Sequence, residues 1–173
     1  MQDANTSSVV AQLGFGGGCH WCTEAVFDHL KGVYKVRQGW IKSVPPFDSF
    51  SEAVLLDYNP KVIPTEVLVQ IHLHTHSSAS DHSMREKYRS AIYFLDQKDE
   101  EGLNDMLERA RVEEGENYLT HVLPFVEFKL NSDEFLDYFK KRPDAPFCQR
   151  HIRPKLDILM EKFSENVRSI DRG

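Results

Sequence analysis

The 173 residues carry 21 basic and 27 acidic side chains, a formal charge of −6, and 40% of them are apolar, the profile of one soluble globular domain. Folding should bury roughly 70% of the surface of an extended chain of this size, enough for a core without a disulfide or metal staple. The basic residues form no stripe for phosphates, no apolar window approaches the roughly 18 residues of a membrane span, and the start MQDANTSSVVAQ lacks the basic and apolar regions of an export signal; these features exclude a nucleic-acid or membrane partner and point to the cytosol.

Residues 1–9 are polar and read as a flexible start. VVAQLGFGGG is a short apolar run closed by three glycines, the pattern of a buried strand feeding a tight turn. The spacing of Cys22, Ala25, Val26 and Leu30 predicts a helix from about Trp21, with Gly32 as its stop, and puts Cys19 at its N-terminus. VYKVRQGWI and EAVLLDY read as strands around the polar loop KSVPPFDSFS. Pro64 opens a helix to about Thr75 with Val67, Leu68 and Ile71 inside. SSASDHSMREK fits neither element, SAIYFL reads as a strand, and Asp96 is a candidate cap for a helix carrying Leu103, Met106, Leu107 and Ala110. HVLPFVEFKL reads as one apolar strand interrupted by Pro124, an edge feature. A short helix capped by Ser132 and a last helix opened by Pro154 flank RPDAPFCQRH, a loop rich in proline, and residues 164–173 read as a polar tail. The core order β-α-β-β-α-β, followed by one further helix and strand, predicts an α/β two-layer sandwich, an α+β ferredoxin-like plait with extra C-terminal helices, forming a single domain over residues 10–163.

Three cysteines, Cys19, Cys22 and Cys148, are too few and too odd in number for a disulfide scaffold and suggest redox use. Gly16-Gly17-Gly18-Cys19-His20-Trp21-Cys22 places Cys19 where free N–H groups and the positive end of a helix stabilise a thiolate; in such settings a thiol falls from about 8.5 to roughly 3.5–7.5. Cys22 stands one turn further on, either as a partner in a C-x-x-C pair or as a buried inert residue. His72 and His76 share a helix face, with His74 opposite and His82 in the loop beyond. Together with Cys19 and Cys22 they could form a zinc or sensor site, but the ligand spacing of a zinc finger is missing, and each histidine also suits a helix-end hydrogen bond. Glu52 opens its strand where burial could keep a carboxylic acid protonated for acid catalysis, and Tyr88 offers a phenol beside Arg89.

These residues resemble, in order and over about residues 10–163, the A-type peptide methionine sulfoxide reductases. Gly18-Cys19-His20-Trp21-Cys22-Thr23-Glu24 is similar to that family's G-C-F-W-G-x-E signature. Glu52 in S-E-A-V-L-L-D-Y-N-P, Tyr88-Arg89-Ser90-Ala91-Ile92-Tyr93, and Lys141-Arg142-Pro143 leading to Cys148 follow at the family's positions. The resemblance implies reduction of methionine S-sulfoxide, free or in peptides, or of a related small methyl sulfoxide, without a cofactor or metal. Cys19 would attack sulfur, Trp21 and His20 would line the methyl pocket with Trp40, Phe47 and Phe50 nearby, Glu52 would protonate oxygen, and Tyr88 would donate to it. The resulting sulfenic acid would pass to a second thiol as a disulfide, opened by a thioredoxin-like protein or a small thiol. Cys148 matches the family's resolving position in a mobile loop, with Cys22 as the alternative. His20 replaces the family's phenylalanine, Cys22 replaces a glycine, and the loop between Trp40 and Glu52 is about ten residues shorter, which removes one tyrosine of the family's site.

Overall fold

The computed structural model describes residues 10–76 and 87–168. Strands β1 (Ala11–Gly16), β2 (Val33–Lys42), β3 (Ser51–Tyr58), β4 (Ala91–Phe94), β5 (His121–Pro124) and β6 (Glu127–Leu130) form one sheet in the order β5-β4-β1-β3-β2-β6. The four central strands pair antiparallel, β6 pairs antiparallel with β2, and β5 runs parallel to β4. Helices α1 (His20–Asp28), α2 (Thr65–Thr75), α3 (Asp99–Glu114), α4 (Tyr138–Lys141) and α5 (Arg153–Lys162) complete a mixed α/β fold.

Alternation along the strands sorts the core onto two faces. Leu13, Phe15, Val54 and Leu56 face a large cluster completed by Val26, Phe27, Leu68, Ile71 and Leu159 from the helices. Ile41, Ala53, Ala91, Tyr93 and Leu123 form a smaller cluster on the other face, covered by Phe47, Phe125 and Phe128. Gly39 is required where β6 crosses β2, since a Cβ there would lie 1.9 Å from the Lys129 carbonyl oxygen.

Several expected elements shift. HVLPFVEFKL is two strands on opposite edges of the sheet, because Pro124 ends β5 and the chain then crosses to β2. Asp96 does not cap α3; its Oδ1 accepts the Lys98 N–H at 3.0 Å in the preceding turn, and the helix begins at Asp99. Ser132 starts a turn rather than a helix, its carbonyl accepting the Phe135 N–H at 3.0 Å. The segment expected as a loop around the third cysteine contains a π-helical turn, Cys148–Ile152, continuous with α5. Residues 164–168 fold back onto the domain: Val167 bridges Leu30, and the Arg168 N–H donates to the His29 carbonyl at 2.7 Å. The remaining expectations for the termini and for His82 fall outside the described residues.

Candidate active site

The end of β1 and the start of α1 place the first thiol. Gly17 has φ +149°, and a Cβ there would meet the His76 ring at 2.5 Å, so only glycine allows this close turn. Cys19 follows as the residue before α1, half-buried, its carbonyl accepting the Cys22 and Thr23 N–H groups at 3.1 Å each. The Cys19 thiol is held below its usual value, first by a hydrogen bond from the Cys22 thiol and then by the Trp21 and Cys22 backbone N–H groups, against burial and the nearby Glu52 charge. The same hydrogen bond, with burial, pushes Cys22 well up. Within one helical turn, the Cys22 thiol thus acts as hydrogen-bond donor to the more acidic Cys19.

Glu52, buried at the start of β3, faces this helix terminus. Its Oε1 accepts the His20 N–H at 3.2 Å and lies 3.4 Å from His20 Nε2, and its Oε2 is 3.6 Å from Lys87 Nζ. The His20 ring is also buried: Nδ1–H donates to the Gly39 carbonyl at 3.0 Å, Asn131 Nδ2 lies 3.3 Å from Nε2, and the ring stands edge-on to Trp40 at 5.1 Å. Burial lowers the His20 pKa, despite the Gly39 carbonyl and the Glu52 charge. The segment carrying Tyr88 is pinned beside Glu52, because the Lys87 carbonyl accepts the Glu52 N–H and the Ser51 hydroxyl, both at 2.9 Å. Lys87 hydrogen-bonds Tyr88, with its ammonium 5.1 Å from that ring, and so links phenol to carboxylate.

Trp21 stacks on Tyr138 at 4.2 Å and on Phe135 at 5.5 Å, and meets Phe147 edge-on at 5.3 Å. It therefore ties the helix start to the segment leading to Cys148, which is fully buried and whose thiol burial pushes up. Phe47 is not brought to this group: it packs on the opposite face, under Arg89 and against His121. Phe50 is exposed, with Lys42 over its ring. Sequence reasoning missed the Glu24–Gln38–Asn131 chain behind His20, in which Gln38 Nε2 donates to Glu24 at 2.9 Å and Asn131 Nδ2 donates to Gln38 at 2.6 Å. It also missed Lys87, Tyr138 and Lys155; the position of Glu24 in the signature was the one available hint.

The histidines at the end of α2 each have a partner within the protein. His72 Nε2 donates to the Gly16 carbonyl at 2.7 Å, His76 donates to the His72 carbonyl, and His74 pairs with Glu114 at 2.7 Å. Among the described residues no three His, Cys, Asp or Glu side chains are arranged to hold a metal, and no helix is long and apolar enough to cross a membrane.

An acidified thiol at a helix start, a second thiol bonded to it and a buried carboxylate alongside define a thiol-dependent oxidoreductase. Residues 11–167 match the family model described as peptide methionine sulfoxide reductase, and the chain belongs to that family. It is 32% identical to the peptide methionine sulfoxide reductase MsrA of Psychrobacter sp. (strain PRwf-1), over 87% of this chain and 94% of that one. It is 29% identical to the protein of that name from Deinococcus radiodurans, over 96% and 89%. Among solved structures, Mxr1 from Saccharomyces cerevisiae in reduced form superposes with a TM-score of 0.69 at 21% identity, covering 83% of this chain and 92% of that one. Mxr1 in complex with Trx2 gives 0.58 at 20%, covering 73% and 84%.

Proposed function

We propose that this protein reduces methionine S-sulfoxide, free or in peptides, or a closely related methyl sulfoxide, in the cytosol and at the expense of thiols. The observation that carries the reading is the lowered Cys19 thiol beside Glu52. Attack of the Cys19 sulfur on the sulfoxide sulfur makes the oxygen basic, and a proton taken up on Glu52 together with the substrate passes to it, with Tyr88 and Lys87 on the same side. Trp21 and Trp40 offer the apolar surface for the S-methyl group. Release of methionine leaves Cys19 as a sulfenic acid.

Cys22 then supplies the second thiol. Side chains three apart on a helix have Cβ atoms about 5–6 Å apart, and a disulfide needs about 3.5–4.5 Å, so the first turn must close by only about 1–2 Å. Cys148, buried in its π-helical turn and close enough to Cys22 to raise its pKa, is suited to receive the disulfide from Cys22. The reductant is a thioredoxin-type protein, as in the Mxr1 complex with Trx2. The deciding assay is stereospecific loss of methyl sulfoxide with dithiothreitol. Turnover by wild type and none by Cys19→Ser is expected; equal inactivity of both on every methyl sulfoxide would refute the reading.

A further inference from the structure

We propose that Lys155 is a positioning residue for the second half of the reaction: its ammonium, anchored at the end of α2, favours the Cys22 thiolate that closes on oxidised Cys19. The proposal rests on Cys19 being the thiol that is oxidised, and it concerns a step that the sulfoxide itself does not enter.

Lys155 lies on α5, yet its side chain turns inward and Nζ donates to the carbonyl of Thr75, the last residue of α2. It lines a cavity of about 20 Å³ together with Cys19, Cys22, His72, Thr75 and His76. That space holds about one water, and the half-buried lysine shares it with the two cysteines. The titratable neighbours on the other elements are His72 and His76 from α2, Glu52 from β3 beyond Cys19, and Cys148 from the π-helical turn. Burial lowers the Lys155 pKa, while Cys22 and Cys19 favour its charged form. Reciprocally, Lys155 favours the Cys22 anion, whereas Cys19 and Cys148 both oppose it.

In the resting enzyme the Cys22 thiol donates to the Cys19 sulfur, which holds the proton on Cys22. Oxidation of Cys19 removes that acceptor, leaving Lys155 as the charge that draws the proton off Cys22. In the closing step a Cys22 sulfur electron pair forms the S–S bond and the Cys19 S–O bond breaks with its pair on oxygen. The oxygen leaves as water, carrying the proton given up by Cys22. Cys22 is oxidised and the Cys19 sulfur is reduced from the sulfenic to the disulfide level.

A nearby opposite charge lowers an acid's pKa by about 1–3, and each step of one raises the thiolate fraction tenfold while costing about threefold in nucleophilicity, so removing the charge should slow closure roughly three- to fortyfold. The test treats the fully reduced chain with one equivalent of methyl sulfoxide or, separately, of hydrogen peroxide, and follows dimedone-trapped sulfenic acid and the Cys19–Cys22 disulfide by mass spectrometry. Lys155→Met should still form sulfenic acid, slowed less than closure is, accumulate the dimedone adduct and close slowly, and Lys155→Arg should restore closure to within a few-fold. Closure of Lys155→Met at the wild-type rate, or equal slowing in Lys155→Arg, would overturn the proposal. If only peroxide produces the disulfide, the sulfoxide reading has failed and the peroxide arm still decides the role of Lys155. A second measurement covers poor folding of Lys155→Met: in a Cys19→Ser background, thiolate absorbance of Cys22 should appear at higher pH in Lys155→Gln than with Lys155 present, and an unchanged midpoint would refute the charge effect.

Discussion

Replacing His20 by phenylalanine, the residue of the resembling signature, separates the two jobs that this position could perform. The substitution removes the ring's bond to the Gly39 carbonyl at 3.0 Å and its contacts with Asn131 at 3.3 Å and Glu52 at 3.4 Å. It leaves the main-chain bond from the residue 20 N–H to Glu52 Oε1 at 3.2 Å, so the carboxylate stays in place. Orphaning a buried acceptor costs about 1–3 kcal/mol and burying the more apolar ring returns about 1, for a net loss of at most about 2 kcal/mol and at most roughly 8 °C in Tm. Because burial lowers the His20 pKa, the ring is neutral at pH 7, and its loss removes no cation from the Cys19 thiolate. A phenyl ring beside Cys19 gives a methyl group a better apolar contact, and KM for methionine sulfoxide should fall, by up to about tenfold. The assays are steady-state kinetics, a thermal melt and the pH dependence of Cys19 alkylation. An unchanged KM together with an unchanged melt would refute the reasoning, since the ring would then touch neither the substrate nor Gly39.

Glu52→Gln should cut sulfoxide turnover by about 10²–10⁴; because the Glu52 charge raises the Cys19 pKa, the same variant should alkylate at Cys19 with a lower pH midpoint, so a slower enzyme carries a more acidic thiol. Cys22→Ala deletes the largest cause of the low Cys19 pKa, and the alkylation midpoint should move up, with turnover at neutral pH falling and partly recovering in alkali. Cys148→Ser should leave the lifetime of the sulfenic acid unchanged while slowing reduction by thioredoxin more than by dithiothreitol; a mapped Cys19–Cys148 disulfide formed at full rate in Cys22→Ser would reverse the order of the thiols. Arg37 forms a two-point ion pair with Asp57 at 2.9 and 3.0 Å that holds the carboxyl below its usual range. A depressed carboxyl stabilises above its unfolded pKa and loses that contribution as pH falls through the folded value, so Arg37→Gln should cost on the order of 1 kcal/mol at pH 7 and almost nothing in strong acid, by denaturant melts.

The central elements were legible because their local cues and their packing agree. The glycines after Phe15, the proline before Thr65 and the alternation through SEAVLLDY each specify a conformation that burial then reinforces. The outer elements carry weaker signals. HVLPFVEFKL has no polar residue at its break, and β6 is largely exposed, so nothing in the sequence shows that Pro124 hands the chain from one edge of the sheet to the other. Asp96 satisfies a capping pattern, yet a turn of three residues intervenes before α3. RPDAPFCQRH reads as a loop because its prolines precede the cysteine, whereas the π-helical turn draws its order from packing Cys148 and Ile152 into the core.

For the site the division follows sequence distance. Cys19, Cys22 and Trp21 share one turn, so their relation is set by helical spacing and could be read directly. Glu52 lies in β3 and Tyr88 in the turn before β4, and both depended on the resemblance. Lys155 had no cue of either kind, since a lysine in an amphipathic helix reads as a solvated residue, and only the packing of α5 across the end of α2 brings it onto the Thr75 carbonyl and into the cavity that the cysteines line. His20 shows what the signature alone does not convey. Its place in the signature suggested a methyl pocket, but a ring with two nitrogens cannot be buried without partners, and the sequence supplies them from afar as Gly39 and Asn131. With those partners in place the imidazole lies 3.4 Å from Glu52, so in the proposed mechanism residue 20 bears on both substrate shape and proton delivery, and one variant there tests both.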